Sequence, residues 1–256
     1  MMSDLKSGNI HIASSSGVQS YIPEASLMYL PFLYRDIAHF RNIWQLGANE
    51  VVQKIENLIR KRAQLEPLGY SIVGARDCIL IDRPIQQPSD FKDLSIRVDG
   101  ATISQQIFSA LGASVIQVPF NEVANALAEH RVRAAENATF NMLALGWHSA
   151  CKFVSCTEHR FLLNFELASG AFWAKLDNHT KIGIHDAFTA YLAAFANRSA
   201  IERSTSLHNL SQIHKLSVNK ISPSEKSAFE VATKCVIDNY ATDYGLHQEI
   251  NWIREN

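Results

Sequence analysis

Residues 88–137 read, in succession, PSDFKDLSIRVDG, ATISQQIFSALGASVIQVPFNEVANALAEH and RVRAAEN. The pattern predicts strand, helix, strand, helix, strand. In the first strand Ile96 and Val98 point to one face and Arg97 to the other. Gly112 stops the first helix, and residues 115–118 form a short apolar strand. Pro119 turns the chain into a helix over residues 121–130, and residues 132–135 make the third strand. Alternation of this kind implies parallel strands joined by crossover helices, an α/β architecture. An arginine at the buried edge of such a strand has a specific use, because its planar fork can hold a carboxylate through two parallel hydrogen bonds. The competing reading is a solvated surface residue or half of a structural ion pair.

On either side of this stretch the elements continue to alternate. Residues 9–14 read as a strand, and Pro23 and Pro31 punctuate the loop that follows. Two helices are expected over residues 35–45 and 49–63, with Gly47 between them and Val52, Ile55, Leu58 and Ile59 on one stripe of the second. Residues 70–73 and 78–81 read as two strands separated by Gly74 and Arg76, and residues 161–167 as an extended segment. From Asp177 to about Ile213 the chain is helical almost throughout, long enough to bend across two lobes. A strand over residues 215–221 follows. Ser222, Pro223 and Glu225 then open a last helix that runs towards Asp243.

The chain has 256 residues, of which 47% are hydrophobic and 19% charged, an ordinary globular balance. Twenty-four basic residues face 25 acidic ones for a net charge of -1, and no basic stripe is present, which argues against nucleic acid as a partner. No apolar run is long enough to insert in a membrane. The first residues, MMSDLKSGNIHIAS, lack a charged region followed by an apolar one, so no signal peptide is visible. The four cysteines, Cys78, Cys151, Cys156 and Cys235, have no metal-site spacing and read as small core residues. The ten histidines are dispersed, and no hydrolase, zinc-protease or phosphate-loop motif occurs. Cys156 and His159 could be cast as nucleophile and base, but no third group orients them. No catalytic residue, metal or cofactor is expected.

Several motifs together carry a resemblance. They are residues 5–13 (LKSGNIHIA), Tyr21-Ile22-Pro23-Glu24, residues 30–36 (LPFLYRD), residues 91–98 (FKDLSIRV), residues 119–123 (PFNEV), Glu136-Asn137, Glu158-His159 and Phe172-Trp173. In order and spacing they are similar to the solute-binding proteins of tripartite ATP-independent periplasmic (TRAP) transporters, DctP type, over essentially the whole chain. The resemblance implies a two-lobed, type II periplasmic-binding-protein-like fold with a long helix spanning the lobes. Lobe I would comprise residues 1–75 and 163–202, and lobe II residues 76–162 and 203–256. It implies capture of a small organic carboxylate between the lobes and delivery to the membrane subunits of a permease, in the periplasm.

By the same resemblance Arg97 pairs with the ligand carboxylate, Phe120 packs on the ligand and Asn137 hydrogen-bonds its head. Arg76 stands where a second arginine is common, with a local pair to Asp77 as its rival reading, and Phe120 could equally be core. Ser14 and Ser15 lie where a first-lobe loop meets the ligand. Three departures are visible. Asp99 replaces a usual proline. Residues 133–138 (RAAENA) replace a typical Asp-Gly-Gln-Glu-Asn-Pro, which reverses the rim charge at Arg133. The family also has a leader and further elements before the point matched by Met1, so the first lobe is expected to be incomplete. The alternative is then a truncated or degenerate member that binds no ligand.

Overall fold

The computed structural model describes residues 1–45 and 47–256. Seven strands, β1 (Ile12–Ser15), β2 (Leu65–Leu80), β3 (Ser95–Val98), β4 (Ser114–Gln117), β5 (Ala134–Asn137), β6 (Phe153–Ser169) and β7 (Ser217–Lys220), form one sheet. Its order is β1-β6-β2-β5-β3-β4, and β7 also pairs with β6. β3 runs parallel to both β4 and β5, with the helices Thr102–Ala110 and Val123–Ala128 in the crossovers, as the alternation of residues 88–137 implies. Flanked on both sides, β3 is an inner strand rather than an edge. β5 meets β2 antiparallel, so the sheet is mixed.

β2 and β6 are long antiparallel partners of 16 and 17 residues. The two short strands expected on either side of Gly74 are one continuous strand. Glycine here does not end the strand. At φ 127° Gly74 absorbs a bulge, one of three register shifts at Pro67/Gly69, Ile72/Gly74 and Arg76/Cys78. Gly69, at φ 142°, has a second reason to be glycine: a Cβ there would lie 2.3 Å from Leu192 Cδ1, so a side chain would push away the long helix.

That helix runs from Asn178 to His208 and continues into a wider turn over Asn209–Ile213. Asp177 caps its start by accepting from the Thr180 amide at 2.8 Å. It lies along β2: Leu192 packs over Gly69, the Ser199 hydroxyl donates to the Val73 carbonyl at 2.7 Å, and Arg203 reaches Asp77. The helices expected over residues 35–45 and 49–63 are Ile37–Ile43 and Glu50–Leu58, each started by an Asp36 or Asn49 cap. The helix expected over residues 121–130 is shorter, a tight turn at Phe120–Glu122 followed by Val123–Ala128. Ser222 and Glu225 form a reciprocal capping box for the helix Pro223–Tyr244. A further helix, His247–Glu255, follows Gly245 and buries Ile250 and Ile253, which sequence reading missed.

The apolar core falls into two clusters. The larger contains Phe40, Trp44, Phe91, Phe108, Phe165 and Phe229. The smaller gathers Ile79, Val123, Leu127, Met142, Trp147 and Val154 against β5 and the end of β6. Trp147, with its indole fully inside this second cluster, is the packing residue that its sequence context suggests.

Candidate functional site

Because β3, β4 and β5 are parallel, their C-terminal ends emerge on one side of the sheet, where α/β folds leave a crevice. A cleft of about 630 Å³ opens there, lined among others by Arg76, Arg97, Asp99, Gln117, Phe120 and Asn137. Four of the six side chains singled out in the sequence, Arg97, Asn137, Phe120 and Arg76, thus come together. Ser14 and Ser15 are not in its lining. Ser14 donates to the Glu166 carboxylate at 2.9 Å, beside Ser71, and the Ser15 hydroxyl accepts from the Gly17 amide at 3.0 Å.

Arg97 is 4% exposed and makes no ion pair among the described residues. Its Nε donates to the Val118 carbonyl at 3.0 Å, which fixes the plane of the guanidinium. The rings of Phe120 and Trp147 each lie 5.9 Å from its Cζ, and they meet each other edge to face. Its Nη1 is buried with no hydrogen-bond partner. Burial pulls this guanidinium below its usual value, only partly offset by Glu136 and Asp99; an arginine stays charged regardless. A buried cation with an unused donor is costly, and an anion placed in the cleft removes that cost.

Arg76 behaves differently. Its Nε and Nη2 hold the two oxygens of Glu136 at 2.5 and 2.7 Å, the bidentate fork, and its Nη1 donates to Asn137 Oδ1 at 3.2 Å. The rival reading of a pair with Asp77 fails, because consecutive strand residues face opposite ways; Asp77 pairs with Arg203 instead. Across the β2–β6 register Arg76 sits opposite Arg160. Two like charges in that position repel, and two carboxylates absorb the repulsion. Arg160 Nη2 donates to Asp99 Oδ2 at 2.7 Å and lies 3.8 Å from Glu136, while Arg76 lies 3.6 Å from Asp99. Burial would raise the Glu136 carboxyl, but Arg76, Arg160 and the bond to His159 hold it well below the usual range. Burial also depresses His159, which hydrogen-bonds Thr157 at 2.8 Å and Glu136 at 3.3 Å.

Phe120 is not core: it is 47% exposed and forms the cleft wall over Arg97. Asn137 is buried, and its Oδ1 accepts from Arg76, from the Ala138 amide and from Asn141. Three donors on the oxygen orient the amide, so its nitrogen is the end left for the cleft. Arg133, expected on the rim, is not there: it precedes β5 beside Ser95, at the end of the parallel strands away from the cleft, and forms an exposed pair with Asp82.

Sequence reading missed Arg160 and the partnership of Glu136 with Arg76. The available signal was the unbroken polar run Thr157–Glu158–His159–Arg160 within β6. Cys156 and His159 do not meet as nucleophile and base. The ring of His159 is taken by Thr157 and Glu136. Cys156 lies beside Glu158 and Arg203 instead, where burial pushes its thiol up to about 12. Among the described residues no group of three His, Cys, Asp or Glu side chains is placed to hold a metal, and no helix is long and apolar enough to cross a membrane.

A family model described as "Bacterial extracellular solute-binding protein, family 7" (DctP) matches residues 1–243. A solute-binding protein of Sulfitobacter sp. strain NAS-14.1 is 25% identical over 95% of this chain and 72% of its own length. The chain spans less of other curated relatives, as little as 44% of one. The crystal structure of a TRAP periplasmic solute-binding protein from Bradyrhizobium sp. BTAi1, in complex with galacturonate, is 25% identical. It superposes with a TM-score of 0.86 over 100% of this chain and 83% of that one. A TRAP periplasmic solute-binding protein from Sulfurospirillum deleyianum with bound succinate is also 25% identical, with a TM-score of 0.85 over 99% and 82% of the two chains.

Proposed function

We propose, because this chain belongs to family 7 of the bacterial extracellular solute-binding proteins, the DctP family, that its cleft captures a small organic carboxylate and delivers it to a TRAP permease. The observation that carries this reading is the buried, unpaired Arg97, whose Nη1 has no hydrogen-bond partner, in the lining of a cleft of ligand size. Arg97 supplies charge recognition, Phe120 excludes water from that contact and Asn137 offers an amide donor that fixes orientation. Arg76 acts less directly, since Glu136 already fills its fork; it shapes the cleft floor and holds Asn137 in place. The place of action is the periplasm, and the role is binding rather than catalysis.

The mechanism we propose is closure of two lobes, residues 1–75 with 163–202 and residues 76–162 with 203–256, around the ligand. The bulges of β2 at Ile72/Gly74 and Arg76/Cys78 fall at the boundary between them, where bent strands absorb a hinge rotation. A ligand that touches both lobes favours the closed state by its differential contacts.

The test is calorimetry with D-galacturonate and succinate, alongside thermal unfolding. A binder's melting temperature rises with ligand concentration. Truncating one partner of a buried charge pair costs ~2–5 kcal/mol, so Arg97→Ala should weaken carboxylate binding by at least about tenfold. An unchanged dissociation constant would remove Arg97 from the site. A melting temperature indifferent to every carboxylate would favour a family member without a ligand.

A further inference from the structure

We infer that the cleft is built for an acid carrying a single negative charge, and that Asp99 is the residue that rejects a second carboxylate. This inference rests on the carboxylate-capture reading above and narrows it.

Charge balance carries the first half. Five mutually coupled charged side chains surround the cleft floor: the guanidiniums of Arg76, Arg97 and Arg160 and the carboxylates of Glu136 and Asp99. Glu136 closes the fork of Arg76, and Asp99 holds Arg160. Among the described residues this leaves one positive charge in excess, and it sits on Arg97, whose hydrogen bond goes to a neutral carbonyl. One carboxylate neutralises that excess. A second would enter an already balanced region with no cation left to receive it.

Position carries the second half. Asp99 follows Arg97 by two residues, one past the end of β3, about 6.6 Å further along the extended chain. Both line the cleft, and the Asp99 side chain is 34% exposed into it. Ser104 Oγ, at 2.5 Å, and the Ala101 amide, at 3.2 Å, hold its Oδ1, and Arg160 holds its Oδ2. Burial would raise its carboxyl, but Arg160 and Arg76 keep it below the ordinary value, so it is an anion at neutral pH. A ligand anchored at Arg97 therefore extends past a fixed negative charge that can only accept hydrogen bonds. A hydroxyl on the body of the acid suits that neighbour, whereas a second carboxylate is repelled by it.

The decisive probes are matched pairs of one shape and different charge. Succinate and succinamate form one pair, in which a carboxylate is replaced by a neutral amide. Galactarate and its monoamide, which share one open chain of hydroxyls, form the other. At neutral pH and low salt, the wild-type protein should bind the singly charged member of a pair at least about tenfold more tightly, and Asp99→Asn should shift that ratio towards the diacid by a similar factor. Asp99→Ser serves as a second variant, and unfolding of each ligand-free variant shows that it is folded; the wild-type ratios need no variant. Equal or tighter binding of the diacids by wild type overturns the inference, as does a ratio that Asp99→Asn leaves unmoved. If carboxylates still bind in an Arg97-dependent way in that case, the capture reading stands and only the charge selectivity falls. Binding of none of the four probes removes both.

Discussion

The two faces of β2 and β6 carry two clusters of buried and half-buried charge, and they differ in one respect. Arg76, His159 and Arg160 reach Glu136 on one face, and Asp77 and Glu158 turn to the other; the irregular pairing at Arg76/Cys78 and the positive φ of Glu158 let the consecutive His159 and Arg160 share a face. On the cleft face three guanidiniums meet two carboxylates. On the opposite face Arg203 spans Asp77 and Glu158, and Lys226 takes the other oxygen of Glu158. The Asp77 carboxylate also accepts from the Glu158 amide, which holds Glu158 at its left-handed φ of 45°. Two cations and two anions balance on that side. A balanced buried cluster fixes geometry; an unbalanced one calls for something from outside. On the function proposed above, one face would belong to the hinge and the other to ligand capture.

The largest effect should come from breaking the cleft cluster at its centre. Glu136→Gln removes the charge that separates Arg76 from Arg160 and leaves two guanidiniums facing each other without it. Removal of one partner from a buried ion pair costs ~3–5 kcal/mol, to be read from urea unfolding. Acid should make the same break without a mutation. The folded-state value of Glu136 lies well below the ordinary 4.5. Its stabilising contribution is therefore complete above that value, and it is lost as the pH falls towards the depressed one. Asp99, depressed from 3.8, follows the same sign. If Glu136→Gln were as stable as wild type and showed the same acid limb, the carboxylate would not be the keystone of the cleft face.

A smaller effect is expected on the balanced face. Arg203→Met strips Asp77 of its guanidinium but leaves it the Glu158 amide, and leaves Glu158 its bond to Lys226. Loss of a charge-assisted hydrogen bond of this kind costs ~1.5–3 kcal/mol. Carboxylate affinity should change by less than about threefold, under 1 kcal/mol. The two faces would prove coupled, and the division of labour wrong, if affinity fell more than stability.

How far the sequence disclosed these two faces can be followed residue by residue. Arg97 was legible because it interrupts an alternating apolar strand, and alternation alone places it opposite Ile96 and Val98. The parallel pairing of β3, β4 and β5 was legible because helix-length segments separate the strands. The partner of Arg76 was not, since Glu136 lies 60 residues away on another strand and only the sheet register joins them. Arg160 was hidden for the same reason. Its place opposite Arg76 depends on two bulges, at Pro67/Gly69 and Ile72/Gly74, each of which shifts the β2–β6 register by one residue. Gly74 was read as a stop because glycine punctuates most strands; here its positive φ lets one strand bend and continue. The helix His247–Glu255 was lost behind Gly245, a genuine left-handed stop with a new start just after it. Local pattern reports elements and faces, whereas charge pairing belongs to the assembled sheet.

The smallest effect should be found at Arg133, expected on the rim because a charge is reversed there relative to the pattern this chain resembles, but placed at the end of β5 away from the cleft. An arginine near an anion-binding cleft invites a steering role. Two features argue that the contribution is slight. Arg133 is paired with Asp82, and the pair is exposed on both sides, 42% and 45%. The field it sends outward is that of a dipole rather than a charge. It also precedes Asn137 by four residues on β5, about 13 Å along the strand, beyond the Debye length of about 10 Å at 0.1 M salt. Arg133→Ala should thus alter stability by at most about 0.5 kcal/mol and the association rate of succinamate or D-galacturonate, measured by stopped flow, by less than about twofold at 0.1 M salt. Lowering the ionic strength should enlarge the difference only slightly, because Asp82 cancels the field at any salt concentration. A steep, salt-sensitive loss of association rate in Arg133→Ala, absent from Asp82→Asn, would show that this arginine acts as a free charge. The unbalanced character of the cleft face would then reach beyond the cleft to the far end of β5.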